Sequence, residues 1–305
     1  MKTISILIVL GTIINLAAKD LKILMIGNSF SICVGHNLPR LVAHEKKHNI
    51  DITSAYIGGC PLSLHAKNLS KAEADPSLKP YTINTWTSKN LHKTTKYKGN
   101  VNELLKNNKY DIITIQQGSS QSWDYKFYQP HADELIAYIR KYNPQAEIII
   151  QQTWAYRADA PRLKTWKLTQ KEMSEKVIKA YNELAESAKL RLIPVGRAVE
   201  LTRKNPAYQY KVLSEKELAQ FVRPNVPSRS GDVVGKHYWK KTKSGIKLIT
   251  DASHLNEEGE YLQSCVWYSF LFGEDAEKIT YETYLNPASY KILRSAAAQA
   301  IKEYK

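Results

Sequence analysis

A chain of 305 residues, 43% of them hydrophobic, is long enough for one large domain or two ordinary ones and can bury a core without covalent staples. Three cysteines are an odd number and too few for a disulfide scaffold. The formal charge of +15 suits an acidic partner such as an anionic polysaccharide or an envelope polymer, but no aromatic–basic interleave or nucleic-acid motif accompanies it, so nucleic acid is set aside.

Residues 1–18 read as a bacterial-type secretory signal. Lys2 is a short basic n-region, Ile4 to Ile14 an apolar h-region, and Leu16-Ala17-Ala18 places a small residue before the cut. The run is too short to span a bilayer, and no cysteine near the cut suggests a lipid anchor. A secreted or periplasmic protein with no stable membrane anchor is therefore expected. Removing the signal takes away one lysine and no acid.

In Leu21 to Ile26 every residue but Lys22 is apolar, the pattern of a strand buried on both faces of a parallel sheet. It stops at Gly27-Asn28-Ser29, a small polar turn. A helix is expected from about Leu38 to His48, capped by Asn37. Asp51 to Ile57 reads as a second strand, ended by Gly58-Gly59-Cys60-Pro61. Residues 62–100 are polar and irregular, with a short helix at Leu62–Ala74, and Val101 to Asn107 adds a helical turn or two. Asp111 to Gln116 is a third strand, running into Gln117-Gly118-Ser119-Ser120. A helix at Ala132 to Lys141 stops before Asn143-Pro144. Glu147 to Gln152 is a fourth strand, one long helix fills Leu163 to Lys189, and Arg191 to Val195 is a fifth strand. Residues 201–249 are the least regular, with a hairpin over His237 to Ile249 turning at Lys243-Ser244-Gly245. Helices at 256–272 and 287–304 close the chain, the last opened by Asn286-Pro287.

Strands alternating with helices imply an α/β fold with an open parallel sheet. Residues 19–305 read as one domain, with 60–100 and 201–249 as decorations over one edge. Sites in such folds form at the carboxyl ends of the strands, where Ser29 sits. A serine hydroxyl needs a base, and the base needs an orienting acid. Asp251-x-x-His254 offers both from one loop, at a spacing that lets the carboxylate turn back onto the ring. An oxyanion hole needs donors: the Ser29 N–H is one candidate, the Gly59 N–H another, and the Gln117 amide or Ser119 hydroxyl a third.

GNSFS after the first strand, Gly after the second, QGS after the third and DxxH near the C-terminus resemble the four blocks of the SGNH/GDSL hydrolases, in order and over nearly the whole mature chain. The branch most similar is one of uncharacterised bacterial proteins with GNS in place of GDS. The resemblance implies a three-layer α/β/α fold with a five-stranded parallel sheet of flavodoxin-like order. It implies Ser29 as nucleophile and backbone donor, Gly59 as a further donor, and Asp251 and His254 as acid and base. Asn28 replaces the family's usual aspartate, which is not the triad acid. The block-three asparagine is missing, and QGS is similar to the Gln-Gly-Glu of sialate and xylan acetylesterases, which makes Gln117 the first oxyanion candidate and Ser119 the second.

The implied activity is serine ester hydrolysis, on an O-acyl group, O-acetyl by preference, of a small-molecule or polysaccharide substrate that the basic charge allows to be anionic. No cofactor is implied. A lipase or thioesterase on small acyl esters and a non-catalytic glycan-binding protein on an inactive site are the alternatives. Asn28, His65, Trp123, Trp154 and Tyr156 follow strand ends or flank them and are candidates to line the substrate pocket. Cys33, one helical turn past Ser29, and Cys60, next to Gly59, are expected on one rim and to pair as a disulfide. His44-Glu45-Lys46-Lys47-His48 matches HExxH, but the helix is expected to end there amid lysines, so no metal site is read from it.

Overall fold

The computed structural model of the chain describes residues 18–304. The expected signal peptide, residues 1–18, lies outside the described residues but for Ala18. The first strand, β1 (Asp20–Gly27), carries Ile23, Leu24, Met25 and Ile26 at no more than 1% exposure. Full burial of such side chains contributes roughly 2 kcal/mol each, so β1 lies at the centre of the sheet rather than at its edge.

The elements follow in chain order. Helix α1 (Ser29–Glu45) leads to β2 (Asn49–Tyr56), α2 (Leu62–Ala74), β3 (Tyr81–Thr87), β4 (Thr95–Gly99) and α3 (Val101–Asn107). Then come β5 (Ile112–Ile115), α4 (His131–Tyr142), β6 (Glu147–Gln151), α5 (Pro161–Trp166), α6 (Gln170–Ala188) and β7 (Arg191–Ile193). The last part holds α7 (Val195–Arg203), α8 (Glu215–Leu218), β8 (Val234–Thr242), β9 (Gly245–Leu255), α9 (Glu257–Phe272) and α10 (Pro287–Glu303). One sheet runs β4-β3-β2-β1-β5-β6-β7, and β8 and β9 form a separate hairpin. The five parallel strands are in the expected flavodoxin-like order. Parallel crossovers are right-handed, so the reversal of direction at β1 puts α1 on one face and the helices that follow β5 and β6 on the other. Accordingly α1 packs on α9, with α10 and α7 beyond it, while α2 packs on α3 and α4.

Several elements differ from the sequence reading. The sheet has seven strands, because β3 and β4 extend it antiparallel to β2 through a segment read as irregular. Helix α1 begins at Ser29, not after Asn37, with the Asn28 side chain capping it by accepting from the Phe30 N–H. Asn37 lies mid-helix and donates to Glu260. The long helix at 163–189 is two. Lys167 takes a left-handed conformation (φ 55°), and Thr169 and Glu172 form a capping box that starts α6 afresh.

Candidate active site

Ser29 is the first residue of α1 and stands at the carboxyl end of β1. Its N–H is one of those that no turn of the helix can satisfy, and it lies at the positive end of a 17-residue helix dipole. The Asn28 side chain, 1% exposed, fixes this turn. Its Oδ1 accepts from Phe30 N–H at 3.0 Å and from Gln116 Nε2 at 2.7 Å, and its Nδ2 donates to the Cys60 carbonyl at 3.1 Å and the Gln117 carbonyl at 3.4 Å. One buried amide thus ties the ends of β1, β2 and β5. A chain of amides fixes its polarity. The Trp267 indole N–H, which can only donate, bonds Gln151 Oε1 at 3.0 Å, Gln151 Nε2 bonds Gln116 Oε1 at 2.6 Å, and Gln116 then donates to Asn28. Asn28 is therefore a positioning residue, not the pocket-lining one that the sequence suggested.

Asp251 and His254 come from β9. Residues three apart on a regular strand point to opposite faces. Here the pairing with β8 slips: Val234 faces Leu255 but Lys236 faces Asp251, so β9 carries two extra residues between those positions. The bulge turns both side chains the same way. His254 Nδ1 lies 2.8 Å from Asp251 Oδ2, and His254 Nε2 lies 2.8 Å from Ser29 Oγ. Asp251 Oδ1 accepts from Ser253 N–H, Ser253 Oγ–H and His254 N–H at 3.0, 3.1 and 3.2 Å. Burial works against ionisation of this carboxyl, but the hydrogen bonds, that of the His254 ring first, outweigh it and hold the carboxyl well below the usual carboxylate range.

Two devices keep the bulge against the sheet. The Trp154 indole, just past β6, donates to the Ser253 carbonyl at 2.9 Å and stacks on Phe30 at 4.2 Å, and the edge of the His254 ring rests on Phe30 at 5.5 Å. The Arg157 N–H donates to the Ala252 carbonyl at 2.8 Å. The fully buried Arg157 guanidinium pairs with Asp159 at 2.7 Å, lies over the Tyr210 ring and is backed by Gly235. Gly235 has φ +90°, and a Cβ there would stand 2.8 Å from both Arg157 Cζ and the Asp251 carbonyl.

A cleft of about 500 Å³ opens over Ser29. Gly59 (φ +63°), Ser119, Tyr156 and Arg162 line it, together with Tyr238 and Thr250 of the hairpin. The main-chain N–H groups of Ser29 and Gly59 have no acceptor among the described residues, and Ser119 Oγ lies 2.8 Å from Tyr156 Oη.

Five further expectations from the sequence are corrected. The Gln117 amide is not a free oxyanion donor. It is wholly buried, its Oε1 accepts from Leu62 and Gly118 N–H, and its Nε2 donates to the Phe127 carbonyl at 2.8 Å. Cys33 and Cys60 are buried free thiols. They face apart: Cys33 Sγ lies 2.8 Å from Gln263 Oε1 of α9, whereas Cys60 sits beside Tyr81, which stacks on His65 of α2. His65 is wholly buried there, its Nδ1 3.0 Å from Tyr81 Oη, and burial pushes its imidazole down to about 3, so it is a neutral core residue and lines no cleft. Trp123 packs on Trp166, which in turn packs on Tyr156, one ring removed from the cleft. Trp154 supports the bulge from below, and of the expected lining residues Tyr156 is in the cleft wall. The HExxH match is split by the end of α1: Lys46 is its left-handed cap, Glu45 accepts from Thr280 and Tyr281 N–H, and His48 stacks on Phe272. Among the described residues no cluster of side chains could hold a metal ion. The sequence reading missed Phe30, Arg162, Tyr238 and the amide chain. Phe30 and Tyr238 carried a signal, the first as the neighbour of Ser29 and the second as an aromatic in the expected hairpin.

A family model described as a domain of unknown function, DUF4886, matches residues 22–210. No curated protein matches the chain. Among solved structures, a DUF4886 family protein from Bacteroides uniformis is similar with a TM-score of 0.74 at 23% identity, over 93% of this chain and 95% of that one. A candidate SGNH hydrolase from Slackia heliotrinireducens is similar with a TM-score of 0.47 at 16% identity, over 83% and 99%. An acetyl xylan esterase follows at 0.45 and 12%, over 82% and 100%.

Proposed function

This chain belongs to the DUF4886 family, and we propose that it is a secreted or periplasmic serine esterase that removes O-acyl groups, O-acetyl above all, from carbohydrate. The observation that carries the reading is the pair of 2.8 Å hydrogen bonds that link Ser29 Oγ to His254 and His254 to Asp251. The resemblance of the four sequence blocks to SGNH hydrolases supports it, and the apolar N-terminal stretch supports export.

In this mechanism Asp251, ionised, holds the proton on His254 Nδ1, which leaves Nε2 free to accept. His254 takes the Ser29 proton as Oγ attacks the ester carbonyl. The oxyanion is met by the N–H groups of Ser29 and Gly59 and by the Ser119 hydroxyl, at the positive end of α1. The C–O bond to the alcohol breaks, and His254 returns the proton to the leaving oxygen. Water then enters and attacks the acyl carbonyl as it gives its proton to His254, the bond to Oγ breaks with return of that proton to Ser29, and the acid is released.

Turnover of p-nitrophenyl acetate by the wild type and by Ser29→Ala tests the reading. Activity that survives the substitution refutes the nucleophile, and an inactive wild type favours a glycan-binding role for the site. A preference for long over short acyl esters would move the assignment from acetylesterase to lipase.

A further inference from the structure

The hairpin of β8 and β9 supplies the acid and base, yet one of its faces does something more. Side chains alternate along a strand, so Tyr238 and Lys240 share a face with their cross-strand partners Ile249 and Lys247. Tyr238 lines the cleft and is 38% exposed, and Lys240 and Lys247 continue the same face outward, both exposed. The other face is occupied: His237 is buried, and the Trp239 indole donates to the Asn225 carbonyl at 2.9 Å.

Lys240 and Lys247 stand directly opposite each other. Like charges in that arrangement destabilise a hairpin. Neither lysine, nor Lys241 and Lys243 at the turn, has a carboxylate within ion-pair distance among the described residues. In the lining of the same cleft, Arg162 is exposed and is likewise without a carboxylate, its Nη1 3.4 Å from Tyr156 Oη. A single unpaired lysine is ordinary solvated surface. A facing pair that continues the lining of a cleft, with an unpaired arginine in the lining of the same cleft, is an anion-binding arrangement that the chain itself leaves empty.

We propose that the ester taken by this cleft is borne by an acidic polysaccharide, whose carboxylate groups are held by Arg162 and by the Lys240–Lys247 pair. The proposal rests on the esterase reading. Lys240 lies two residues, ~7 Å, along the strand from Tyr238, so its charge meets a neighbouring sugar rather than the one that presents the ester. Tyr238 offers its ring to a sugar face between the two. A polysaccharide fits better than a nucleic acid because its hydroxyls carry the carboxylic esters that Ser29 would attack, which a DNA duplex lacks.

The test is calorimetric binding to the Ser29→Ala protein, which separates binding from turnover. Polygalacturonate should bind, more weakly as salt is raised, and dextran should not. Adding K240Q and K247Q together should weaken binding about tenfold, K240R with K247R should restore it, and R162Q should weaken it several-fold. Equal binding of dextran, equal or tighter binding of duplex DNA or of phosphatidylglycerol vesicles at matched salt, or no change in the glutamine variants overturns the proposal. Those outcomes leave the esterase reading standing, whereas activity that survives Ser29→Ala refutes that reading without touching the binding result.

Discussion

Replacing Asp251 by asparagine should abolish turnover through the tautomer of one imidazole, and the donor count around the carboxylate sets the size of the effect. Oδ1 accepts from three donors within 3.2 Å, so an amide at this position cannot turn its NH₂ that way without facing three N–H or O–H groups. The NH₂ is therefore forced toward His254 Nδ1, which now must accept. The ring proton moves to Nε2, the atom 2.8 Å from Ser29 Oγ, and the base can no longer take the serine proton. A triad acid replaced by its amide costs ~10⁴ in kcat, or about 5.5 kcal/mol at 1.36 kcal/mol per tenfold. With p-nitrophenyl acetate, Asp251→Asn should lower kcat by that order and leave KM within a few-fold. The same variant has a signature in stability. The carboxyl is held below its ordinary value in the fold. Its stabilising contribution is therefore complete above the unfolded value, about pH 4, and is lost as the pH falls from there through the folded value. Urea midpoints measured down the acid range should fall less steeply for the variant than for the wild type. A kcat within tenfold of wild type, in a protein with unchanged thermal unfolding, would refute the assignment of acid and base.

Four further substitutions probe the site and its supports. Ser119→Ala should lower kcat by roughly 10² with little change in KM if its hydroxyl meets the oxyanion; steady-state kinetics on a short ester decide this. Gly235→Ala must give up a φ of +90° or press its Cβ on Arg157 and the Asp251 carbonyl, and should lose about 2 kcal/mol in urea unfolding together with much of its kcat. Gln151→Leu strands the Trp267 indole N–H and the Gln116 carbonyl in the core, and at ~1–3 kcal/mol for each orphan should lose about 2–6 kcal/mol. Trp267→Phe in the same protein removes one orphan, so the pair should lose less than the sum of the two single changes.

The parallel half of the sheet is legible because its strands are apolar on both faces, as Ile23 to Ile26 and Ile148 to Ile150 are. Strand β3 escaped because Thr82, Asn84 and Thr85 make it a half-wet strand without a continuous apolar run. The start of α1 was misplaced because Asn28-Ser29 reads equally as turn and as cap, and the tertiary bonds to Cys60, Gln116 and Gln117 select the cap. The Gln117 error has a similar origin: its partners Leu62 and Phe127 lie far along the chain, and nothing local signals that the amide is already spent. The order of the blocks did locate the residues that the fold gathers, Ser29, Gly59, Ser119, Asp251 and His254, because each terminates a strand or lies in a bulge at the same rim.

Ser29 and His254 are separated by 225 residues, and the histidine arrives on a hairpin outside the main sheet. Closing so long a loop is entropically slow and comes late, after local helices and neighbouring strands have formed. On the proposed function, hydrolysis is thus a clock for the final docking event of folding. In refolding from denaturant, helical signal should return first, and hydrolysis only when the bulge settles on Trp154 and Arg157.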